Sequence, residues 1–241
     1  MLKPQHGFSL VELMIASLVA LVTLAAVLTV YGSTLGHSTR QLREAHLSQS
    51  LQAVLGLLEA DLRRAGYRHF DPVTDRLADN PFQAAGNDVR VGALPREAAA
   101  SCITYSYDLD KDGLLGTGRC PAAGCPAGTD DDNVEQFGMR LRRGRIEMRY
   151  AGRRFDCRHG RWQAITGNDI EITRLRFMLD VVCLPLPPAA GTCSPDVDRQ
   201  LVRSVTLSVT GRLAASAETV KRLERRVWIR NDRVVSAETP P

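Results

Sequence analysis

The chain begins with a long apolar segment that carries a single acidic residue near its start. Glu12 precedes an uncharged stretch, residues 13–30, close to the roughly 20 residues with which a helix spans a bilayer. A charged side chain carried into hydrocarbon costs roughly 2.5 to 3.5 kcal/mol, so an acid at this position needs a partner or a function. The pattern predicts one membrane-spanning helix with a functional carboxylate near its start.

Beyond this stretch the pattern becomes amphipathic. Leucines recur every three or four residues opposite charged and amide side chains, namely Leu47, Leu51, Leu55, Leu58 and Leu62 against Arg43, Glu44, Gln52, Glu59 and Arg63. This spacing predicts that one helix continues through residues 8–65. Gly66 is a suitable stop signal and Pro72 follows soon after, while Gly32 and Gly36 are weak points at which the helix could bend.

The rest of the chain alternates apolar with polar residues and contains no compelling second helix. The predicted strands are residues 102–107, 137–141, 145–150, 170–182, 202–213 and 226–230. Residues 71–95 are polar and interrupted by Pro and Gly, which predicts an irregular loop. Strands gathered after one long helix indicate the α+β class, with the helix packed on a mainly antiparallel sheet.

The predicted hairpin at residues 137–150 makes the expected orientation of side chains explicit. Arg143-Gly144 forms its turn. In its second strand Ile146, Met148 and Tyr150 are expected to face the core, and Glu147 and Arg149 to face water.

Length and charge limit the classes of protein to consider. The chain has 241 residues, enough for one membrane helix and one compact domain. Its net charge of +4 is too small to imply a nucleic-acid partner by itself. The five histidines are scattered, and neither a nucleophile elbow, a phosphate-binding loop nor a recognisable catalytic pair is present. We therefore do not expect an enzyme.

All six cysteines follow the apolar segment, at positions 102, 120, 125, 157, 183 and 193. If the anchor places this part in an oxidising compartment, disulfides are the natural interpretation, although the sequence fixes no pairing. The short intervals favour Cys120 with Cys125 and Cys183 with Cys193, which leaves Cys102 for Cys157. A zinc site is disfavoured because no Cys-x-x-Cys pair occurs and His159 is the only histidine in the region.

The opening run Gly7-Phe8-Ser9-Leu10-Val11-Glu12 closely resembles the processing signal of type IV pilins and type II secretion pseudopilins. An ordinary signal peptide would instead show a small-residue cleavage site after its apolar core. The resemblance implies that a prepilin peptidase cuts between Gly7 and Phe8 and methylates the new amine of Phe8. The apolar helix then stays on the protein.

Glu12 acquires a physical role if Phe8 becomes the amino terminus. At about 4 Å and an effective dielectric constant of about 20, an ammonium and a carboxylate attract by about 4 kcal/mol, which offsets much of the burial cost of Glu12. The contact could form within one chain, because Phe8 and Glu12 are four residues apart on a helix. It could equally form between neighbouring chains, which is the assembly role that the family assigns to this acid.

The resemblance also implies a pilin fold and a division of the chain. Residues 1–7 are the removed leader, residues 8–36 the transmembrane and filament-core half of the helix, residues 37–66 its amphipathic half, and residues 67–241 a β-rich globular domain with disulfides. The precursor is expected in the inner membrane with this domain in the periplasm. After assembly the protein is expected in a pilus on the cell surface.

Three later segments look like the PilW family of minor type IV pilins, namely residues 61–67, 105–113 and 227–231. This resemblance implies a structural subunit that helps to initiate pilus assembly, is incorporated near the tip and supports twitching motility. Its partners would be other minor pilins, the major pilin, the prepilin peptidase and, in some systems, a tip adhesin. The J-type minor pseudopilin of type II secretion is the alternative, and a pilus-associated module that binds calcium, DNA or a surface is another.

Asp108, Asp110 and Asp112, followed by Gly113, match the opening of a calcium loop. The match fails at Arg119, which stands where a bidentate Glu is needed, although residues 130–132 could supply further carboxylates. A solvated Asp/Gly turn is the simpler interpretation. No other cofactor is expected.

Arginines are dense between residues 140 and 161. Such a patch, including Arg142, Arg143 and Arg145, could hold DNA phosphates. Because these residues lie on or near a hairpin with a polar outer face, a solvated or subunit-facing surface is the preferred interpretation, and DNA is not expected as a partner.

Overall fold

The computed structural model describes residue 7, residues 9–70, residue 72, and residues 76–116, 134–152, 154–187 and 192–237, with the side chains of residues 216 and 217 excepted. A long helix, α1, spans Leu10–Leu62. The strands are β1 (Arg90–Gly92), β2 (Cys102–Ser106), β3 (Gln136–Arg142), β4 (Arg145–Ala151), β5 (Arg161–Ala164), β6 (Ile170–Pro185), β7 (Arg199–Leu213), β8 (Ser216–Trp228) and β9 (Arg233–Val235).

The chain divides into two compact units, Met1–His46 and Leu47–Pro241. In the first unit, α1 is continuous through Gly32 and Gly36, and its apolar side chains between Leu10 and Leu35 are mostly exposed. Within the described part of the chain, α1 is the one helix long and apolar enough to cross a membrane. Such an exposed apolar helix surface is what a membrane or a bundle of identical helices would cover.

The second unit is built on the last turns of α1. The repeated leucines are buried, with exposed fractions of 0 to 1%, at Leu47, Leu51, Leu55, Leu58 and Leu62. Each such burial contributes about 1.5 to 3 kcal/mol. These leucines share one core with Ile103, Met139, Phe177 and Leu207 from the strands. The amphipathic repeat therefore forms the predicted packing surface.

Two antiparallel sheets complete the second unit. The first has the strand order β1-β2-β3-β4-β5, and the second the order β6-β7-β8, with β9 pairing β7 beside β8. One long amino-terminal helix with antiparallel sheets is an α+β arrangement, which confirms the predicted fold class.

The predicted strands are present, but β8 differs most from its prediction. It begins at Ser216 rather than at residue 226 and ends at Trp228. β8 lies at an edge of its sheet and has much exposed surface. Its side chains between Glu218 and Arg225 are therefore largely charged, and they interrupt the alternation of apolar and polar residues from which a strand is predicted. The sequence also gave no indication of the short strands β1, β5 and β9. Residues 71–95, which were predicted to form an irregular loop, contain β1 and the 3-10 helices Leu77–Asp79 and Pro81–Gln83.

The Arg143-Gly144 turn is present, with positive φ at both residues (50° and 76°) and Arg142 paired with Arg145. The expected exposure of Arg149 was wrong. This side chain is 0% exposed, whereas Tyr150, expected in the core, is 52% exposed. A bulge between Arg149 and Ala151 breaks the alternation at Tyr150, whereas Arg149 is buried because the segment after β4 covers it.

Main-chain carbonyls accept hydrogen bonds from both terminal nitrogens of the buried guanidinium of Arg149, while its Nε has no partner among the described residues. The guanidinium donates to the oxygens of Gln136, Gly152 (2.6 Å) and Arg154 (3.2 Å), and lies 5.3 Å from the ring of Phe155. The segment after β4 therefore covers the outer face of the first sheet and uses Arg149 as its anchor. Burial lowers the pKa of Arg149 to about 10, so the side chain stays charged at neutral pH.

Candidate processing and assembly site

The start of α1 carries the residues expected to govern processing. The helix begins at Leu10, the amide of Leu13 donates to the carbonyl of Ser9 (3.1 Å), and Glu12 lies in the first turn. Glu12 is exposed. Gly7 precedes the helix, while Phe8 lies outside the described residues. The contact between Glu12 and the amine of Phe8, within one chain or between chains, therefore stays a prediction.

The three segments that suggested a minor pilin meet at the other end of α1. The amide of Gly66 donates to the carbonyl of Ser106 (2.7 Å), and the amide of Asp108 donates to the carbonyl of Tyr67 (2.9 Å). The side chain of Asn231 donates to the carbonyls of Arg64 and Ala65, each at 3.2 Å. Residues far apart in the sequence thus close the carboxyl end of the helix, whose last carbonyls otherwise lack partners.

A buried carboxylate lies at the centre of this junction. Asp61 is 7% exposed and accepts hydrogen bonds from the hydroxyls of Tyr105 and Tyr107, the second at 2.7 Å. Burial first, and the charge of Asp61 second, raise the pKa of both tyrosines above the usual value. An acid near the carboxyl end of a helix is disfavoured by the helix dipole, so these hydroxyl groups are needed to hold it.

Gly66 and Gln83 make the close packing at this junction possible. Gly66 has φ of +74°, and a Cβ added there would lie 2.7 Å from Nε2 of Gln83. That amide nitrogen donates to the carbonyls of Gly66, Asn231 and Asp232. The sequence predicted Gly66 as a helix stop, but no local pattern distinguished Gln83, which is defined by contacts distant in sequence.

The acidic loop after β2 brings its carboxylates together. Asp108, Asp110 and Asp112 each offer an oxygen within 4.8 Å of the others. Asp108 is buried and accepts from the amides of His69 (2.7 Å), Lys111 (2.6 Å) and Gly113 (3.1 Å). Its carboxylate thus anchors the loop, whereas Asp110 and Asp112 are exposed. Arg119 and residues 130–132 lie outside the described residues.

Glu135, which the sequence did not single out, fixes the same loop from the start of β3. It is 1% exposed and accepts from the amides of Leu109 (2.5 Å) and Gly116 (2.9 Å). Burial raises the pKa of Glu135 to about 7, with Asp110 and Asp108 adding to the shift and the two amides opposing it. Its charge therefore changes near neutral pH.

We expect the titration of Glu135 to make stability fall as pH rises. The folded-state pKa of about 7 exceeds the unfolded value of 4.5, so the folded state binds more protons between these values. The stabilisation from protonating Glu135 is complete below pH about 4.5 and is lost as pH rises through about 7. Thermal unfolding of the full chain between pH 5 and 8 measures this slope. A Glu135→Gln variant is the control, and an equal slope in both proteins would contradict the assignment.

The structure contains the disulfides Cys102–Cys157 and Cys183–Cys193. The first ties the segment after β4 to β2, on the face that Arg149 also holds. The second closes the β6–β7 hairpin. Cys120 and Cys125 lie outside the described residues, so their bridge stays a prediction.

The arginine-rich region does not form one continuous surface. Arg142, Arg143 and Arg145 are exposed around the hairpin turn. Arg140 instead is 3% exposed, bonds Glu147 (2.7 Å) and stacks 4.1 Å from the ring of Trp162. Together with Arg149 it holds the segment after β4 on the outer face of the first sheet. The exposed basic surface is smaller than the sequence suggested.

Two protein-family profiles match the chain. A profile of the prokaryotic N-terminal methylation motif matches residues 2–28. A profile described as prepilin peptidase-dependent protein B matches residues 40–229, more than half of the chain. The chain belongs to the prepilin peptidase-dependent protein B family. Comparisons with curated proteins and with solved structures gave no match.

Membership of the prepilin peptidase-dependent protein B family confirms the predicted recognition at the level of a type IV pilin-like protein. The methylation-motif match contains Gly7, Phe8 and Glu12, and the family match contains Asp61 and Tyr105 of the junction at the end of α1. The matched families are pilin-like structural proteins. The motif and the apolar helix fit a membrane-anchored pilin precursor.

Proposed function

We propose that the chain is a minor type IV pilin of the PilW kind, which helps to initiate pilus assembly and is incorporated near the tip. The observation that carries this proposal is the methylation motif at the start of a helix whose apolar side chains are mostly exposed among the described residues. The convergence of the three PilW-like segments at the end of α1 adds support for a shared domain architecture.

In this proposal, a prepilin peptidase removes residues 1–7 and methylates Phe8. Residues 8–36 hold the precursor in the inner membrane and later pack in the filament core, where small residues allow close approach of helices. Residues 37–66 carry the globular domain, residues 67–241, which faces the periplasm before assembly and the outside afterwards. Other minor pilins, the major pilin and, where present, a tip adhesin are its partners.

Glu12 supplies the specificity of the assembly step. A carboxylate in the apolar core of a filament is costly unless it meets a cation. The methylated amine of Phe8 in a neighbouring chain is the available cation at the same depth. A new subunit that pairs its amine with Glu12 of another chain therefore enters in register.

Deletion of the gene tests the proposal against the J-type pseudopilin of type II secretion. We expect loss of pili and of twitching motility, with both restored by the wild-type gene. Normal piliation and twitching combined with blocked release of secreted proteins would favour the pseudopilin and contradict the proposal.

Calcium binding is a second candidate function, favoured by the convergence of three carboxylates within 4.8 Å. Asp110 and Asp112 are exposed and have oxygen atoms available for a hard cation. Calorimetric titration of the protein with Ca²⁺ is expected to release or absorb heat, and Asp110→Ala to abolish it. Absence of heat with the wild-type protein would end this candidate.

DNA binding is not part of the proposal, since Arg140 and Arg149 are buried and cannot contribute to a basic surface for phosphates. A gel shift at physiological salt tests this exclusion. Retention of DNA that is lost on replacing Arg142, Arg143 and Arg145 together would reverse it.

A further inference from the structure

The distal half of β6 has an open main-chain edge. β6 is an outer strand of the second sheet. The first half of its free edge is covered, because Ile172 donates to the carbonyl of Gly144 and Phe177 to that of Ala100, both at 2.8 Å. Alternate residues of a strand direct their main-chain groups to the same side, so those of Val181 and Cys183 point the same way as those of Phe177. Among the described residues nothing bonds this outward edge at Val181 or Cys183.

The side chains along this edge are apolar and exposed. Val181 and Val182 are each 50% exposed and Leu184 is 44% exposed, while Asp180 is the one charge between residues 178 and 185. Proteins normally protect free edges with charge, short length or proline. The other edges described follow that rule, since β8 is rich in Lys and Arg, β1 has 3 residues and β5 has 4. The distal part of β6 does not, apart from Pro185 at its end.

We propose that this edge, which we call the β6 edge (residues 180–184), pairs with the β6 edge of a second copy of the chain. Only an extended chain can satisfy alternating donors and acceptors at this spacing. A two-fold axis at Val182 sets Val181 opposite Cys183 of the second copy, and each such pair exchanges both main-chain hydrogen bonds.

The same register explains why a second copy is a suitable occupant. Val182 faces Val182 of the second copy across the axis, so exposed apolar surface is buried on both sides. Asp180 faces Leu184 of the second copy rather than another acid, so the pairing places no like charges opposite each other. The interface is therefore self-complementary. It goes beyond the proposed function and does not depend on it.

Photo-crosslinking of the full-length protein in membranes tests the pairing. Leu184 is replaced by p-benzoylphenylalanine in one of two co-expressed copies with different tags. Irradiation is expected to give an adduct that carries both tags, with the crosslink at residues 179–182 of the second copy. Absence of this adduct, a crosslink elsewhere in the second copy, or an adduct only with a different protein would each overturn the proposal.

Two variants at Val181 separate edge pairing from chance proximity. Val181→Pro removes the outward N–H. This N–H points away from β7, so no bond to β7 is lost, and proline is tolerated at a free edge. It is expected to reduce the adduct to less than about one tenth, since strand addition relies on main-chain bonds. Val181→Thr retains the N–H and the branched shape and is expected to crosslink as the wild type does. Resistance to limited proteolysis equal to that of the wild type confirms that the proline variant is folded. An undiminished adduct in this folded variant would contradict the pairing.

Discussion

A Glu12→Gln variant is expected to accumulate in the membrane and to be almost absent from pili. Glutamine has nearly the same shape as glutamate but no charge, so the amine of Phe8 would be buried without a counter-charge. Removal of one partner of a buried ion pair typically costs about 3 to 5 kcal/mol. At about 1.4 kcal/mol per factor of ten, this corresponds to a decrease of at least about 100-fold in the equilibrium for entering the filament.

Immunoblots of sheared pili and of membranes measure this ratio. Glu12→Asp is the matched control because it keeps the charge on a shorter side chain, and it is expected to lose less. Mass spectrometry of the amino terminus shows whether each variant is still cleaved after Gly7, which separates an assembly defect from a processing defect. A cleaved Glu12→Gln protein that enters pili at the wild-type level would contradict the role assigned to Glu12.

Replacement of Asp61 by alanine is expected to destabilise the globular part by about 3 to 5 kcal/mol. The hydroxyls of Tyr105 and Tyr107 both donate to this carboxylate in a buried site. Alanine would leave both hydroxyls without an acceptor and would open a cavity beside the helix end. The loss would extend to the neighbouring contacts of Gly66 and Asn231, since they share this junction.

Chemical unfolding of the detergent-solubilised full chain, followed by tryptophan fluorescence, measures the change. Asp61→Asn is the control because its amide oxygen still accepts one hydroxyl and its volume is similar, so its loss is expected to be about half as large. Tyr107→Phe removes one donor and leaves Tyr105 bonded, and it should also be milder than alanine at position 61. Equal stability of Asp61→Ala and the wild type would show that the junction does not hold the helix end.

The elements that the sequence predicted well are those in which one local pattern decides the outcome. The leucine repeat from Leu47 to Leu62 specifies a buried helix face, and all five leucines are buried. The Arg143-Gly144 turn likewise forms because both positions adopt positive φ. In each case the physical cause lies within a few neighbouring residues.

The elements that the sequence missed depend on contacts between distant residues. Arg149 follows an alternation that predicts exposure, yet Gln136 and Gly152 provide carbonyls that make burial possible. Glu135 has no distinguishing local context, and its role appears only when the amides of Leu109 and Gly116 approach it. Such partners are set by the fold, which no short spacing encodes.

The residues of the candidate site also fall into those that a local pattern predicts and those that depend on distant contacts. Gly7, Phe8 and Glu12 lie within one short motif, so the sequence alone identified them and the methylation-motif match covers them. The junction at the end of α1 required the structure, because Asp61, Tyr105 and Asn231 come from separate parts of the chain. The resemblance had named these segments without indicating that they touch.

The mass of the amino-terminal peptide of the protein purified from membranes tests the central claim most directly. The account predicts a mature chain that begins at Phe8 and carries one methyl group on its amine, and an unprocessed chain in a strain without prepilin peptidase. A protein that retains Met1 in the presence of the peptidase, or that is cut at another position, would contradict the account.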